Sequence, residues 1–251
     1  MRKNILITGG AGFLGSIYAE HLIKKNNVFV IDINVQKLKN LKSFFNEIEI
    51  FKCDISDEKN VKNLSVKLNK KKIFIDVLIN NASVDSVPHD KKKTQIIDLK
   101  NWKNEINIGL TGSLIMTSVF GEKMVKKRRG KIINIGSDLS IIAPNQNIYK
   151  NVFKNFVKPA SYSVIKHGLL GMTKYYAALF AKDNVSVNML SPGPIFNNHK
   201  KNFVNELKKV IPCHRMGKPS ELLPALDFLI DEKNSFMTGA NLIIDGGRTV
   251  I

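Results

Sequence analysis

Residues 3–32 constrain this chain more than any other stretch. A short apolar run from Lys3 to Thr8 ends on Thr8-Gly9-Gly10-Ala11-Gly12-Phe13-Leu14-Gly15, and helical spacing then places Leu14, Ile17, Tyr18, His21 and Leu22 together. A second apolar run, Val28 to Asp32, ends on an acid twenty residues after Gly12. Strand, glycine turn, helix and strand in that order predict a parallel βαβ unit. Glycine permits the tight turn and lets the backbone approach a pyrophosphate; the helix N-terminus behind it offers free N–H groups and a positive dipole end. Gly10-x-Gly12-x-x-Gly15 alone is a weak signal, and its position between strand and helix makes it a strong one. Asp32 can accept hydrogen bonds from both ribose hydroxyls and repels a 2′-phosphate. This favours NAD(H), with NADP(H) not excluded because Lys37 and Lys39 follow closely. The bland reading of Asp32 is a helix or turn cap.

The alternation continues along the chain. Strands are expected at Ile48–Cys53, Ile75–Asn80, Lys131–Gly136, Val185–Leu190 and Asn241–Ile244. Between them lie helices at Asp57–Asn69, Asn101–Val125, Tyr162–Lys182 and Glu221–Ile230. Near-continuous apolar strands indicate a sheet buried on both faces. The fold expected is α/β: a Rossmann-type, doubly wound, parallel seven-stranded sheet with helices on both faces. No linker or repeat divides the 251 residues, so 1–251 reads as a single cofactor-binding and catalytic domain.

No apolar run approaches the roughly 18 residues of a membrane helix, and Ile5-Leu6-Ile7 runs into the glycine turn rather than a cleavage site. Cys53 and Cys213 lie far apart without metal-ligand spacing. The expectation is a reducing, cytoplasmic compartment, with no disulfide framework and no metal. The net charge of +18 fits either an acidic partner such as nucleic acid or lysines scattered over solvated faces. Lys70-Lys71-Lys72, Lys91-Lys92-Lys93 and Lys126-Lys127-Arg128-Arg129 fall where helices or loops end, and no basic-aromatic alternation marks a strand-binding groove. The second reading is adopted: no nucleic acid and no membrane, but a field that favours anionic small molecules.

Tyr162-Ser163-Val164-Ile165-Lys166 sets a phenol one helical turn from an ammonium, so both can face one cleft. A free tyrosine titrates near pH 10, and the neighbouring cation favours the phenolate. Such a pair can take a proton from an alcohol or return one to a carbonyl oxygen. Tyr149 lacks this partner, because Phe153 stands where its lysine would be. At the nucleotide end, Asp54-Ile55 is placed to flank an adenine and Asn80-Asn81-Ala82 the adjoining ribose. Asn81 also reads as a turn side chain bonded to a neighbouring strand.

These residues carry a resemblance. The chain resembles the short-chain dehydrogenase/reductases over essentially its whole length. The markers stand in order: Thr8-Gly9-x-x-Gly12-x-x-Gly15, Asp54, Asn80-Asn81-Ala82, Ile135-Gly136-Ser137, Tyr162-x-x-x-Lys166, Pro192-Gly193, Arg215-Met216-Gly217-Lys218-Pro219 and Asp245-Gly246-Gly247. The resemblance implies Ser137, Tyr162 and Lys166 as catalytic residues, Ser137 hydrogen-bonding the substrate oxygen. It implies cofactor contacts from Gly9, Gly12, Phe13, Leu14, Asp32, Asp54, Ile55, Asn81, Ala82, Tyr162, Lys166, Pro192, Gly193 and Ile195. It also implies a homo-oligomer, dimer or tetramer, built on the two long helices and the last strand.

Two features depart from the family pattern. Phe13 occupies the middle glycine position of the single-domain branch, giving a spacing closer to the sugar epimerase and dehydratase branch. The chain nevertheless ends just after Asp245-Gly246-Gly247, which keeps it with the single-domain branch. The asparagine that relatives carry in the long helix is replaced by Gly109, and Asn107 lies about 200° around that helix. Gly109 retains only a backbone carbonyl to offer a water.

Ser137 and Tyr162 are 25 residues apart, against about a dozen in relatives, so 138–161 is expected as an enlarged loop at the site mouth. It holds Tyr149, Lys150, Phe153, Lys154, Phe156 and Lys158, whose lysines four apart can share a helical face toward phosphate or carboxylate. Residues 195–215 are expected as a substrate lid carrying His199, Lys200, Lys201 and Arg215. The stretch from Val157 to Gly168 and the ending Asp245 to Thr249 look like a bacterial subgroup associated with surface polysaccharide and flagellin glycosylation. That implies a phosphorylated or nucleotide-linked sugar, or a related polyol, as substrate. The alternatives are a 3-oxoacyl thioester reductase on the same scaffold and a binding module that senses the dinucleotide without chemistry.

Overall fold

The computed structural model describes residues 2–84 and 98–251. The first βαβ unit comprises β1 (Asn4–Thr8), α1 (Phe13–Leu22) and β2 (Asn27–Asp32), with β1 and β2 parallel and Ile5 opposite Val28. Successive strand side chains point to opposite faces. Ile5 and Ile7 therefore join one buried layer with Tyr18 and Leu22, while Leu6 joins the other with Met116 and Phe120.

A helix not anticipated above, α2 (Val35–Phe44), follows β2. Its signal is slight: Asn34 caps it by accepting from the Lys37 N–H, and only Leu38 and Leu41 are buried. The chain continues through β3 (Glu49–Lys52), α3 (Glu58–Lys70), capped by Asp57, and β4 (Val77–Asn80). From residue 98, α4 (Leu99–Ile106) leads through a π-helical turn at Asn107–Thr111 into α5 (Gly112–Lys127). The helix expected over Asn101–Val125 is present without a break and carries a π-helical turn that divides α4 from α5. Its glycines answer to crowding: a Cβ on Gly109 would lie 2.9 Å from Ile165, and one on Gly112 2.7 Å from Ile55.

After β5 (Gly130–Ile135) come α6 (Gln146–Lys150), α7 (Ala160–Phe180) and β6 (Val185–Pro192). The chain closes with α8 (Lys201–Lys209), α9 (Leu223–Ile230) and β7 (Asn241–Ile244). The seven strands form one sheet in the order β3-β2-β1-β4-β5-β6-β7, with all adjacent pairs parallel. Strand order reverses between β1 and β4, which opens a crevice at the carboxyl ends of the strands.

Segment 138–161 is less of a loop than expected. Its Ile148, Tyr149, Phe153 and Phe156 form a separate apolar cluster with Phe203 and Leu207 of α8. The 138–161 and 195–215 segments therefore cover the carboxyl edge of the sheet as one packed layer. Because α6 ends at Lys150, Lys150, Lys154 and Lys158 do not share a helical face; Lys150 and Lys154 are exposed and Lys158 is buried.

The lysine clusters do end helices. Lys71 follows α3 and pairs with Glu49, while Arg128 and Arg129 follow α5 and pair with Asp183 and Asp76. Lys91–Lys93 lie outside the described residues. Among the described residues no helix is long and apolar enough to cross a membrane.

Candidate active site

A cavity of about 890 Å³ opens at the carboxyl ends of the strands. Every residue expected to bind the cofactor, and each of the three expected catalytic residues, lines it. Gly9, Gly12, Phe13 and Leu14 come from the turn after β1, and Asp32 from the end of β2. Asp54 and Ile55 follow β3, and Asn81 and Ala82 follow β4. Ser137 follows β5, Tyr162 and Lys166 come from α7, and Pro192, Gly193 and Ile195 come from the end of β6 and beyond.

The glycine turn is built to stay open. Gly9 has φ +58, in the left-handed region, and a Cβ there would lie 2.8 Å from the Ala82 Cα. A Cβ on Gly15 would lie 2.4 Å from the Gly9 carbonyl oxygen, so a side chain would force the turn apart. Gly12 precedes α1 and no side chain caps the helix, so the first-turn N–H groups are available to an anion. The residues present therefore fit a dinucleotide: a crowded glycine cradle, an uncapped helix N-terminus and an acid at the β2 edge.

Asp32 caps the turn and also faces the cavity. Its carboxylate accepts from the Asn34 N–H at 2.9 Å and the Ala11 N–H at 3.3 Å, bracing the glycine turn while lining the cavity. Asn81 likewise donates to the Thr8 and Gly9 carbonyls at 3.0 and 3.1 Å and also faces the cavity. Behind the site, Asn80 donates to Thr117 and Asn134, and Asn134 donates to Thr173. This buried chain ties β4 and β5 to α5 and α7, fixing the helix that bears Tyr162 and Lys166. Cys53, on the cavity wall beside Asp54, has its thiol pushed up to about 11, first by burial and then by the charges of Asp54 and Asp57.

At the chemical end, the Lys166 ammonium donates to the Ile135 carbonyl at 2.9 Å and lies 5.6 Å from the centroid of the Tyr162 ring. Ser137 is engaged by its neighbours. Its hydroxyl donates to Asp138 at 2.8 Å and accepts from the Leu139 N–H at 3.2 Å. With its proton directed to a carboxylate, the hydroxyl must turn to donate to a substrate oxygen. Asp138 in turn forms an ion pair with Arg248, both almost wholly buried, from residues 110 apart in the chain. Arg248 also lines the cavity. Neither residue was singled out above: two opposite charges so distant in sequence carry no local pattern that would join them.

Gly109 is where the family asparagine is missing. The Ile165 side chain fills the space a side chain there would need, and Ser113 donates to the Gly109 carbonyl at 3.0 Å. Of the lid residues expected to meet substrate, His199 and Lys200 line the cavity. Arg215 instead turns to Glu221, with bonds of 2.7 and 2.6 Å, and that pairing holds the Glu221 carboxyl well below its ordinary range, to about 2. Lys201 lies outside the lining. Among the described residues no three His, Cys, Asp or Glu side chains gather to hold a metal ion.

A family model described as Enoyl-(Acyl carrier protein) reductase matches residues 14–249. The chain is 28% identical to the NAD-dependent glycerol dehydrogenase of Listeria innocua, over 99% of this chain and 94% of that protein. It is 31% identical to the 3-oxoacyl-(acyl-carrier-protein) reductase of Buchnera aphidicola subsp. Schizaphis graminum, over 98% of this chain and 97% of that protein. It matches the short chain dehydrogenase of Leptospira borgpetersenii, solved with bound NAD+, at a TM-score of 0.84 and 27% identity, over 99% of this chain and 93% of that one.

Proposed function

The chain belongs to the short-chain dehydrogenase/reductase family, and from that premise we propose how its residues work as an NAD(P)-dependent oxidoreductase acting on a secondary alcohol or ketone. One observation carries the reading: the glycine turn, Asp32 and the Tyr162–Lys166 pair all line a single cavity at the strand ends. When bound, a nicotinamide dinucleotide supplies the hydride acceptor or donor. The chain supplies orientation, charge and the proton path. The first-turn N–H groups of α1 receive the pyrophosphate, and Asp32 takes the adenosine ribose hydroxyls. Tyr162 accepts the alcohol proton during oxidation and returns it to the carbonyl oxygen during reduction. Lys166, held by the Ile135 carbonyl, keeps its charge beside that phenol. Ser137, whose hydroxyl otherwise donates to Asp138, would turn to donate to the substrate oxygen and hold it while Tyr162 takes the proton.

We assign residues 1–251 to one working unit, with 138–161 and 195–215 as its substrate cover. NAD(H) is the preferred cofactor. Asp32→Ala should weaken NADH binding about 10–100-fold, since losing a charge-assisted hydrogen bond costs about 1.5–3 kcal/mol. The NADH:NADPH preference should fall further, because Lys37 on the same wall then meets a 2′-phosphate unopposed. Fluorescence titration with both reduced cofactors measures this, and an unchanged preference would remove Asp32 from the role.

For substrate we favour a polyol or sugar-like molecule carrying an anionic group, including the phosphorylated and nucleotide-linked sugars of the glycosylation subgroup. His199 and Lys200 on the cavity wall support it. The test is a panel of polyols, sugar acids, sugar phosphates and nucleotide sugars with NAD+ or NADH, read by absorbance of the reduced cofactor. Silence across the panel with cofactor bound would reject this substrate class. A second reading, a 3-oxoacyl thioester reductase, draws on the apolar wall of Tyr149, Phe153, Phe203, Leu207 and Met216, which suits an acyl chain. It predicts turnover of an acetoacetyl thioester in the same assay.

Assembly as a homo-oligomer is supported by apolar side chains left exposed on the long helices, including Leu114, Val164, Tyr175 and Leu179. Free Cys53 and Cys213 suit the cytoplasm.

A further inference from the structure

Lys158 has no counterpart among the roles assigned so far, yet it is only 7% exposed and lines the cavity. Its ammonium stands 3.9 Å from the centroid of the Tyr162 ring, nearer than the 5.6 Å of Lys166. Its backbone is fixed from both sides: Lys158 N–H donates to the Gln146 side chain at 3.0 Å, and the Gln146 amide donates to the Lys158 carbonyl at 3.1 Å. Pro159 follows, which disfavours helix at Lys158 and lets α7 begin only afterward. Segment 138–161 therefore delivers a second cation to the face of the tyrosine.

We propose that Lys158 is a positioning residue for Tyr162, a charge held on the ring face that favours the phenolate together with Lys166. The inference rests on the dehydrogenase reading above. A cation over an aromatic face is attracted to the ring, more strongly where water is excluded, and the attraction grows when the ring system carries the negative charge of a phenolate. The interaction therefore differs between the two protonation states, which is what shifts a titration.

Among the described residues, the other charged or titratable groups around the tyrosine come from several elements. Lys166 shares α7; Asp138, paired to Arg248, follows β5; His199 and Lys200 come from the cover. Glu105 of α4 accepts from Ser161, next to the tyrosine. Asp32 and Asp54 face the nucleotide end of the same cavity. Two cations thus flank the ring directly, and the Asp138 carboxylate beside Ser137 already has a guanidinium.

The sign follows from the proton balance. Oxidation of the alcohol moves its proton to the Tyr162 oxygen, so Tyr162 must begin deprotonated and the rate rises as pH passes through its titration. Lys158 moves no proton itself but draws that limb to lower pH. In Lys158→Met the limb should shift upward by about one pH unit, a tenfold drop in phenolate at a fixed pH on the acid side. Lys158→Arg should restore most of the shift, since the charge remains.

The deciding measurement needs no turnover. The ultraviolet tyrosinate band is followed against pH in the protein without cofactor, and subtracting Tyr162→Phe isolates the Tyr162 contribution. Its midpoint should move up in Lys158→Met and return in Lys158→Arg. Should Lys158→Met fail to fold by circular dichroism, Lys158→Gln serves in its place. An unmoved midpoint in a folded variant overturns the proposal, as does a rise in KM with an unshifted pH profile, which would make Lys158 a substrate anchor instead. If wild-type protein turned over no alcohol or ketone, the dehydrogenase reading would fall while the tyrosinate titration still judged Lys158.

Discussion

Tyr162→Phe should lower turnover by about 10²–10⁴-fold, the range general acid–base catalysis contributes. The substitution removes only the O–H. The aromatic ring stays, and with it the packing against the Lys158 and Lys166 ammonium groups. The cradle of Gly9, Gly12 and Gly15 and the Asp32 carboxylate are untouched, so NADH should still bind. Steady-state rates with whichever alcohol the wild type oxidises, beside a fluorescence titration with NADH, separate the two properties. Turnover near the wild-type value in Tyr162→Phe would show that the proton takes another path. Loss of both properties together would point to a collapsed site rather than a missing acid.

Arg248→Met should destabilise the fold by about 3–5 kcal/mol, the cost of breaking a buried ion pair by deleting one partner. Asp138 and Arg248 are each almost wholly buried, so the stranded carboxylate would keep only the Ser137 hydroxyl and the Leu139 N–H as protein donors. The double variant Asp138→Asn, Arg248→Met should recover part of the loss, because no lone charge remains inside. Urea unfolding midpoints of the two variants give the comparison. If Arg248→Met unfolds at the wild-type midpoint, the pair contributes nothing to stability. Turnover should fall as well, since Asp138 holds the Ser137 hydroxyl and a displaced carboxylate would release it.

The nucleotide end was legible because its chemistry is local. A strand, three glycines and an acid at the next strand's end lie within about thirty residues, a single βαβ unit whose geometry backbone sterics dictate. Tyr162 and Lys166 were legible for the same reason, being one turn apart on one helix. Helix α2 escaped notice because its buried pattern is two leucines wide. The π-helical turn escaped because nothing in Asn107–Thr111 signals a wider turn; it joins helices whose glycines pack against Ile165 and Ile55, residues remote in sequence. Lysines four apart suggested a basic helical face in 138–161, but aromatic packing against α8 ended α6 at Lys150 and turned Lys158 inward.

By itself, then, the order of residues settled the alternation of strands and helices, the glycine turn before α1 and the phenol–ammonium pair on one helix, because each depends on neighbours within a few turns of chain. Only the tertiary structure decided which charges meet across it. Asp138 found Arg248, the Ser137 hydroxyl donated its hydrogen bond to Asp138, Arg215 turned to Glu221, and Lys158 came to rest on the Tyr162 ring. The physical reason is that burial forces a charged or polar group to find a partner wherever the packed chain brings one, and sequence distance does not enter that choice.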